Sequence, residues 1–146
     1  LGLVARFDWS LSNDALYVTR APMLYGAQQI ADAKLERFEN RTQVRKYTID
    51  FTCPEFTCLC PRSGFPDFAT IKIRYVPNQW CVELKSLKLY LNQYRNKGVF
   101  HEDVVNVILE DLVKLLEPHE IEVVGDFSVR GNIRTVVTAR HPENSV

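Results

Sequence analysis

Hydrophobic and polar residues begin to alternate at residue 46. Tyr47, Ile49, Phe51 and Cys53 fall on one side of an extended chain, with Lys46, Thr48, Asp50 and Thr52 on the other. That is the period of a half-buried strand. A second alternation covers residues 68–76, with Ala69, Ile71, Ile73 and Tyr75 opposite Thr70, Lys72 and Arg74, and Pro77-Asn78 follows as a turn signal. The period then changes. Leu84, Leu87, Leu91 and Tyr94 recur at threes and fours, which predicts a helix with an apolar stripe. It ends at Asn96-Lys97-Gly98, where the glycine is available for a left-handed cap. Val104, Val105, Ile108, Leu109, Leu112, Leu115 and Leu116 give a second helix a broad apolar face. Glu102 and Asp103 in its first turn suit the helix dipole, and Pro118 stops it. Residues 121–129 and 133–140 read as strands joined by a hairpin turn at Arg130-Gly131-Asn132. The order strand, strand, helix, helix, strand, strand predicts an α+β fold, an antiparallel sheet with two helices on one face. An irregular loop is expected between Pro54 and Pro61, and residues 1–24, which lack a period, read as a poorly ordered N-terminal arm before a single domain over residues 25–146.

Composition narrows the functional classes. A chain of 146 residues argues for one domain, and 46% hydrophobic residues can furnish its core without disulfide or metal staples. Lys plus Arg equals Asp plus Glu at 18 each, so the basic excess of a nucleic-acid binder is missing. A neutral chain favours self-association, which points to a homo-oligomer. No segment approaches the ~18 consecutive apolar residues of a membrane span, and Asp8 interrupts the short apolar start, so a cytoplasmic address is expected. In that compartment Cys53, Cys58, Cys60 and Cys81 are expected to be thiols, the more so because three of them crowd into eight residues.

Three clusters carry possible chemistry. The first runs from Pro54 to Phe68 and holds Cys58, Cys60 and Asp67 among prolines and a glycine. Taken singly, its cysteines read as small core fillers and Asp67 as a turn residue. Cys-x-Cys is not the usual zinc spacing and no histidine is close in sequence, so no metal site is expected. The second cluster is Glu83-Leu84-Lys85-Ser86-Leu87-Lys88-Leu89-Tyr90, where Lys85 and Lys88 share a helix face and would suit a phosphate; a solvated lysine face is the plain alternative. The third, His101-Glu102, stands at a helix start, where capping is the plain alternative.

Together the clusters resemble one family. Glu55-Phe56-Thr57-Cys58-x-Cys60-Pro61, Ser63-Gly64-x-Pro66-Asp67-x-Ala69-Thr70 and Glu83-Leu84-Lys85-Ser86-Leu87-Lys88-Leu89-Tyr90 look like the motifs of the short, single-module QueF nitrile reductases, over residues 25–140. The lysine motif separates those enzymes from the related GTP cyclohydrolases, whose zinc ligands are missing here. The resemblance implies the tunnelling fold, assembled into a multi-subunit barrel with sites between subunits. It also implies NADPH-dependent, four-electron reduction of 7-cyano-7-deazaguanine to the aminomethyl compound in queuosine biosynthesis. On that resemblance Cys60 would form a covalent thioimide and Asp67 would protonate the developing nitrogen anion. Lys85 and Lys88 would hold cofactor phosphates, and Arg130 and Gly131 would supply a further cofactor contact. Val82, Glu83, Leu84, His101 and Glu102 would form the substrate site, with Glu102 gripping the purine-like edge. The final hairpin departs from some relatives, which have proline before the arginine and a second glycine after Gly131. Two rival readings use the same residues: an amidinotransferase acting on the nitrile already in tRNA, and a non-catalytic purine-binding subunit.

Overall fold

A computed structural model describes residues 23–143, so the N-terminal arm expected over residues 1–24 lies outside them except for Met23 and Leu24. In chain order the elements are α1 (Tyr25–Ala31), β1 (Arg37–Glu39), β2 (Ile49–Leu59), β3 (Pro66–Val76), β4 (Trp80–Val82), α2 (Leu84–Asn92), α3 (His101–Leu116), β5 (Glu120–Arg130) and β6 (Ile133–His141). A 3₁₀ turn, Gln93–Asn96, continues α2. The long elements keep the order expected from their periods. β1 and β4 pair into a separate two-stranded ribbon; at three residues each they are too short to show a period.

The main sheet is antiparallel in the order β2-β3-β5-β6. Its register stacks apolar residues across strands, Ile73 opposite Val123 and Tyr75 opposite Ile121, with Val123 opposite Ala139. These side chains and Val104, Val105, Ile108, Leu112 and Leu116 of α3 form one buried core. The other sheet face is polar, and carries ion pairs Arg74–Asp50 at 2.7 Å and Arg140–Glu122 at 2.6 Å. Among the described residues no helix is long and apolar enough to cross a membrane.

Three local expectations need correction. The irregular loop expected from Pro54 is instead a continuation of β2 to Leu59. Cys53 pairs with Ile71 and Phe56 with Ala69, so two residues, Pro54 and Glu55, oppose the single residue Thr70. The missing N–H of Pro54 is absorbed at this bulge and pairing resumes beyond it. Gly98 does not cap α2 in a left-handed turn. The chain leaves at Lys97 in an extended conformation (φ −105°, ψ 124°), because the Leu59 backbone takes its bonds: Leu59 N–H donates to Lys97 C=O and Val99 N–H to Leu59 C=O, each at 3.0 Å. Leu84, expected in the apolar stripe of α2, is exposed, and Leu87, Tyr90, Leu91 and Tyr94 form the buried stripe instead. The predicted final hairpin is present. Gly131 (φ 54°) and Asn132 (φ 67°) both take left-handed conformations between paired Arg130 and Ile133, the two-residue turn whose twist matches the strands.

Candidate active site

β2 and β3 are joined by a tight turn that begins at Cys60. Cys60 N–H donates to Phe65 C=O and Gly64 N–H returns to Cys60 C=O, both at 2.8 Å, with Gly64 left-handed at φ 71°. This closure folds Arg62 and Ser63 back over the cysteine. The Ser63 hydroxyl, then the Ser63 and Arg62 amides, stabilise the thiolate and lower the Cys60 pKa below its ordinary value; partial burial and the Asp67 carboxylate oppose them more weakly. Cys58, two residues back, is fully buried in the core opposite Asp67. Burial, then Asp67 and Cys60, push its pKa up to about 11. One thiolate is stabilised, and the neighbouring thiol is held neutral in the core.

Asp67 lies near the start of β3 with its side chain only 4% exposed. Both carboxylate oxygens have partners. Arg130, at the end of β5, donates from Nη1 to Oδ1, and His101, the first residue of α3, places Nε2 3.3 Å from Oδ2. The His101 ring stacks on Phe127 with centroids 3.8 Å apart and planes 9° from parallel. Three elements therefore meet on one buried carboxylate. β3 brings the acid, α3 the imidazole, and β5 both the guanidinium and the aromatic platform.

The other residues singled out from the sequence lie further from this group. Val82 is buried, and its N–H bonds the Tyr75 hydroxyl at 3.2 Å. The Glu83 side chain caps α2, accepting from the Lys85 and Ser86 amides at 2.9 and 2.7 Å, which holds its carboxyl below the usual carboxylate range. Leu84 and Lys88 line a cavity between α2 and β2, whereas Lys85 points to solvent at the start of the same helix. Glu102 is exposed one residue beyond His101, and Gly131 makes the turn that follows Arg130. Among the described residues no group of three or more His, Cys, Asp or Glu side chains is arranged to hold a metal ion. Sequence reasoning missed Ser63 and Phe127 as participants, and it did not pair Arg130 with Asp67. Only the first left a local sign, a hydroxyl three residues after a cysteine in a Pro/Gly turn.

Residues 66–146 match the family model described as QueF-like protein. Over 108 residues, 74% of this chain and 84% of the relative, the sequence is 61% identical to the NADPH-dependent 7-cyano-7-deazaguanine reductase of Thermomicrobium roseum. The enzyme of that description from Aquifex aeolicus is 57% identical over 120 residues, 82% of this chain and 93% of its own length. Among solved structures, the apo archaeosine synthase QueF-Like superposes with a TM-score of 0.60 at 19% identity, covering 64% of this chain and 91% of that one. At that identity the likeness is one of fold.

Proposed function

Because this chain belongs to the QueF-like family, we propose that it is an NADPH-dependent reductase of 7-cyano-7-deazaguanine, forming the aminomethyl product for queuosine biosynthesis through a thioimide on Cys60. The observation that carries the chemistry is the contrast between two thiols two residues apart, one at the end of β2 and one in the turn after it. Cys60 is accessible and its thiolate is stabilised; Cys58 is buried and held neutral.

The Cys60 thiolate adds to the nitrile carbon, forming a C–S bond while one π bond of the nitrile becomes an N–H bond. The proton comes from Asp67, whose Oδ2 lies 3.3 Å from His101 Nε2. Arg130 keeps the carboxylate turned toward His101, and stacking on Phe127 fixes the plane of the ring. NADPH, bound twice in turn, supplies the two hydrides. After the first reduction and protonation the C–S bond breaks and returns the thiolate to Cys60, and a second reduction and protonation complete the amine. The lysine pair at the start of α2 fits the cofactor, since neither Lys85 nor Lys88 meets a carboxylate among the described residues and both ammonium groups are exposed. Glu102, equally exposed, holds the ring N–H edge of the substrate, with Val82, Glu83 and Leu84 lining its site.

A homo-oligomer with sites between copies completes the reading, in the cytoplasm, where four free thiols persist. Two features support it. β2 and β6 are the ends of the sheet, and Phe65, Phe68 and Phe100 stand exposed near the Cys60 turn and the start of α3. The test is direct. The protein mixed with the nitrile alone should gain the substrate's mass and a near-ultraviolet thioimide band. NADPH should then discharge the adduct with two equivalents consumed, and Cys60→Ala should do neither while Cys58→Ala does both. An adduct with no NADPH oxidation would favour the amidinotransferase reading, and no adduct would favour a purine-binding subunit.

A further inference from the structure

The bulge residues Pro54 and Glu55 line a cavity of about 320 Å³ between β2 and α2. That is within the usual range for small-molecule sites, mostly apolar with a few polar groups placed at the rim. Phe51, Phe56 and Leu91 give it apolar walls. Lys88 and Arg95, seven residues apart and therefore on one side of α2 and its 3₁₀ continuation, also line it, and Glu55 on the bulge faces the same space. Neither cation meets a carboxylate within ion-pair distance among the described residues. Two unneutralised cations beside an apolar slot describe a ligand with one flat hydrophobic part and one anionic part.

We propose that this cavity takes the adenosine 2′-phosphate end of NADPH, and that Arg95 is the residue that selects the phosphorylated dinucleotide. The inference rests on the reading of the chain as an NADPH-dependent reductase. The adenine ring lies against Phe51, Phe56 and Leu91. The 2′-phosphate meets the guanidinium fork of Arg95, which binds two oxygens at once, and the Lys88 ammonium. Glu55 is the one carboxylate in the cavity, and it accepts from the exocyclic amine of the ring. The position agrees with the chemistry. Thr57 lines the cavity near the end of β2, three residues before Cys60 and so at most about 10 Å from it at ~3.3 Å per residue, a distance that two riboses and a pyrophosphate bridge. The nicotinamide then reaches the sulfur-bound carbon while the adenosine stays in the cavity.

The test uses binding as well as turnover. Calorimetry with adenosine 2′,5′-bisphosphate and with adenosine 5′-monophosphate should show the bisphosphate binding to the wild type on the order of tenfold tighter or more, the value of one charge-assisted contact. Arg95→Gln, an exposed substitution that leaves the core alone, should erase that difference, and should also collapse the preference for NADPH over NADH in steady-state kinetics. Equal weakening of both nucleotides, or a difference that survives in Arg95→Gln, would overturn the assignment. A wild type that binds the bisphosphate selectively but fails to oxidise NADPH with the nitrile would instead remove the reductase reading and leave the nucleotide site standing.

Discussion

Cys58 and Cys60 are two residues apart, yet their thiols behave oppositely: Cys58 is buried in the core, while Cys60 sits in the turn after β2, where Ser63 and the Arg62 amide lower its pKa. The pH dependence of adduct formation follows. The reactive thiolate forms as pH rises through the Cys60 pKa, so lowering that value extends reactivity to lower pH. Ser63→Ala removes the largest lowering contribution and should move the acid limb of the rate profile to higher pH, with little change at its alkaline plateau. Stopped-flow measurement of the thioimide band across pH checks this, and an unmoved limb would remove Ser63 from the activation. Asp67→Asn keeps the shape and a hydrogen-bond acceptor for Arg130 but has no proton to transfer. Adduct formation should slow by about 10²–10⁴-fold, as for general acid catalysis, with substrate affinity retained. Single-turnover rates alongside calorimetry separate this from a turn residue, for which asparagine would serve equally well.

Among the elements, β5 couples fold to chemistry. It carries Gly125, Phe127 and Arg130, and α3, which presents His101, packs on it. Gly125 leaves no room for a side chain at this contact. A Cβ there would lie 2.6 Å from Val105 Cγ2 and 2.9 Å from Phe127 Cε2. Gly125→Ala displaces the Val105 side chain of α3 or tilts the Phe127 ring, and a tilt of that ring disturbs the stack that places His101 beside Asp67. The expected loss is about 1–3 kcal/mol of stability, with a fall in kcat larger than any change in the Michaelis constant for NADPH. Chemical denaturation and steady-state kinetics measure the two effects, and wild-type kcat in a destabilised variant would show that the stack does not position His101. The bulge of β2 is the other element beside a candidate site, since Pro54 and Glu55 line the cavity that Lys88 also lines.

At the scale of the whole molecule, the outward sheet face carries a row of charges across all four strands. Asp50, Arg74, Glu122 and Arg140 stand in register, negative and positive in turn, one from each strand. The row ends negative at the free side of β2 and positive at the free side of β6. If copies met edge to edge, β6 of one would run antiparallel to β2 of the next and continue both the ladder and the alternation. The expected outcome is that Asp50→Arg, which sets like charges across such a seam, shifts the protein to smaller species in sedimentation velocity. Combining it with Arg140→Asp should restore assembly. A species distribution unchanged by Asp50→Arg would place the subunit contact elsewhere.

Periodicity by itself determined the order of the long strands and helices, because each buries one face and burial imposes a period of two or of three to four on the sequence. The Gly131-Asn132 turn was legible for a similar local reason, since few residue pairs accept two left-handed conformations in succession. The catalytic assignment of Cys60 and Asp67 came from motif resemblance, not from the pattern, and the thiol contrast that supports it required coordinates. Pro54 could not announce a bulge, because a residue without an N–H reads equally well as a loop. The pairing of Arg130 with Asp67, 63 residues apart, depends on β3 and β5 lying side by side. The stack of His101 on Phe127 depends instead on α3 packing against β5, which brings the first residue of a helix onto a strand that follows it in the chain. Local sequence governs local conformation, but which side chains share a low-dielectric site is decided by how strands and helices pack, and there the proton and the thiolate are controlled.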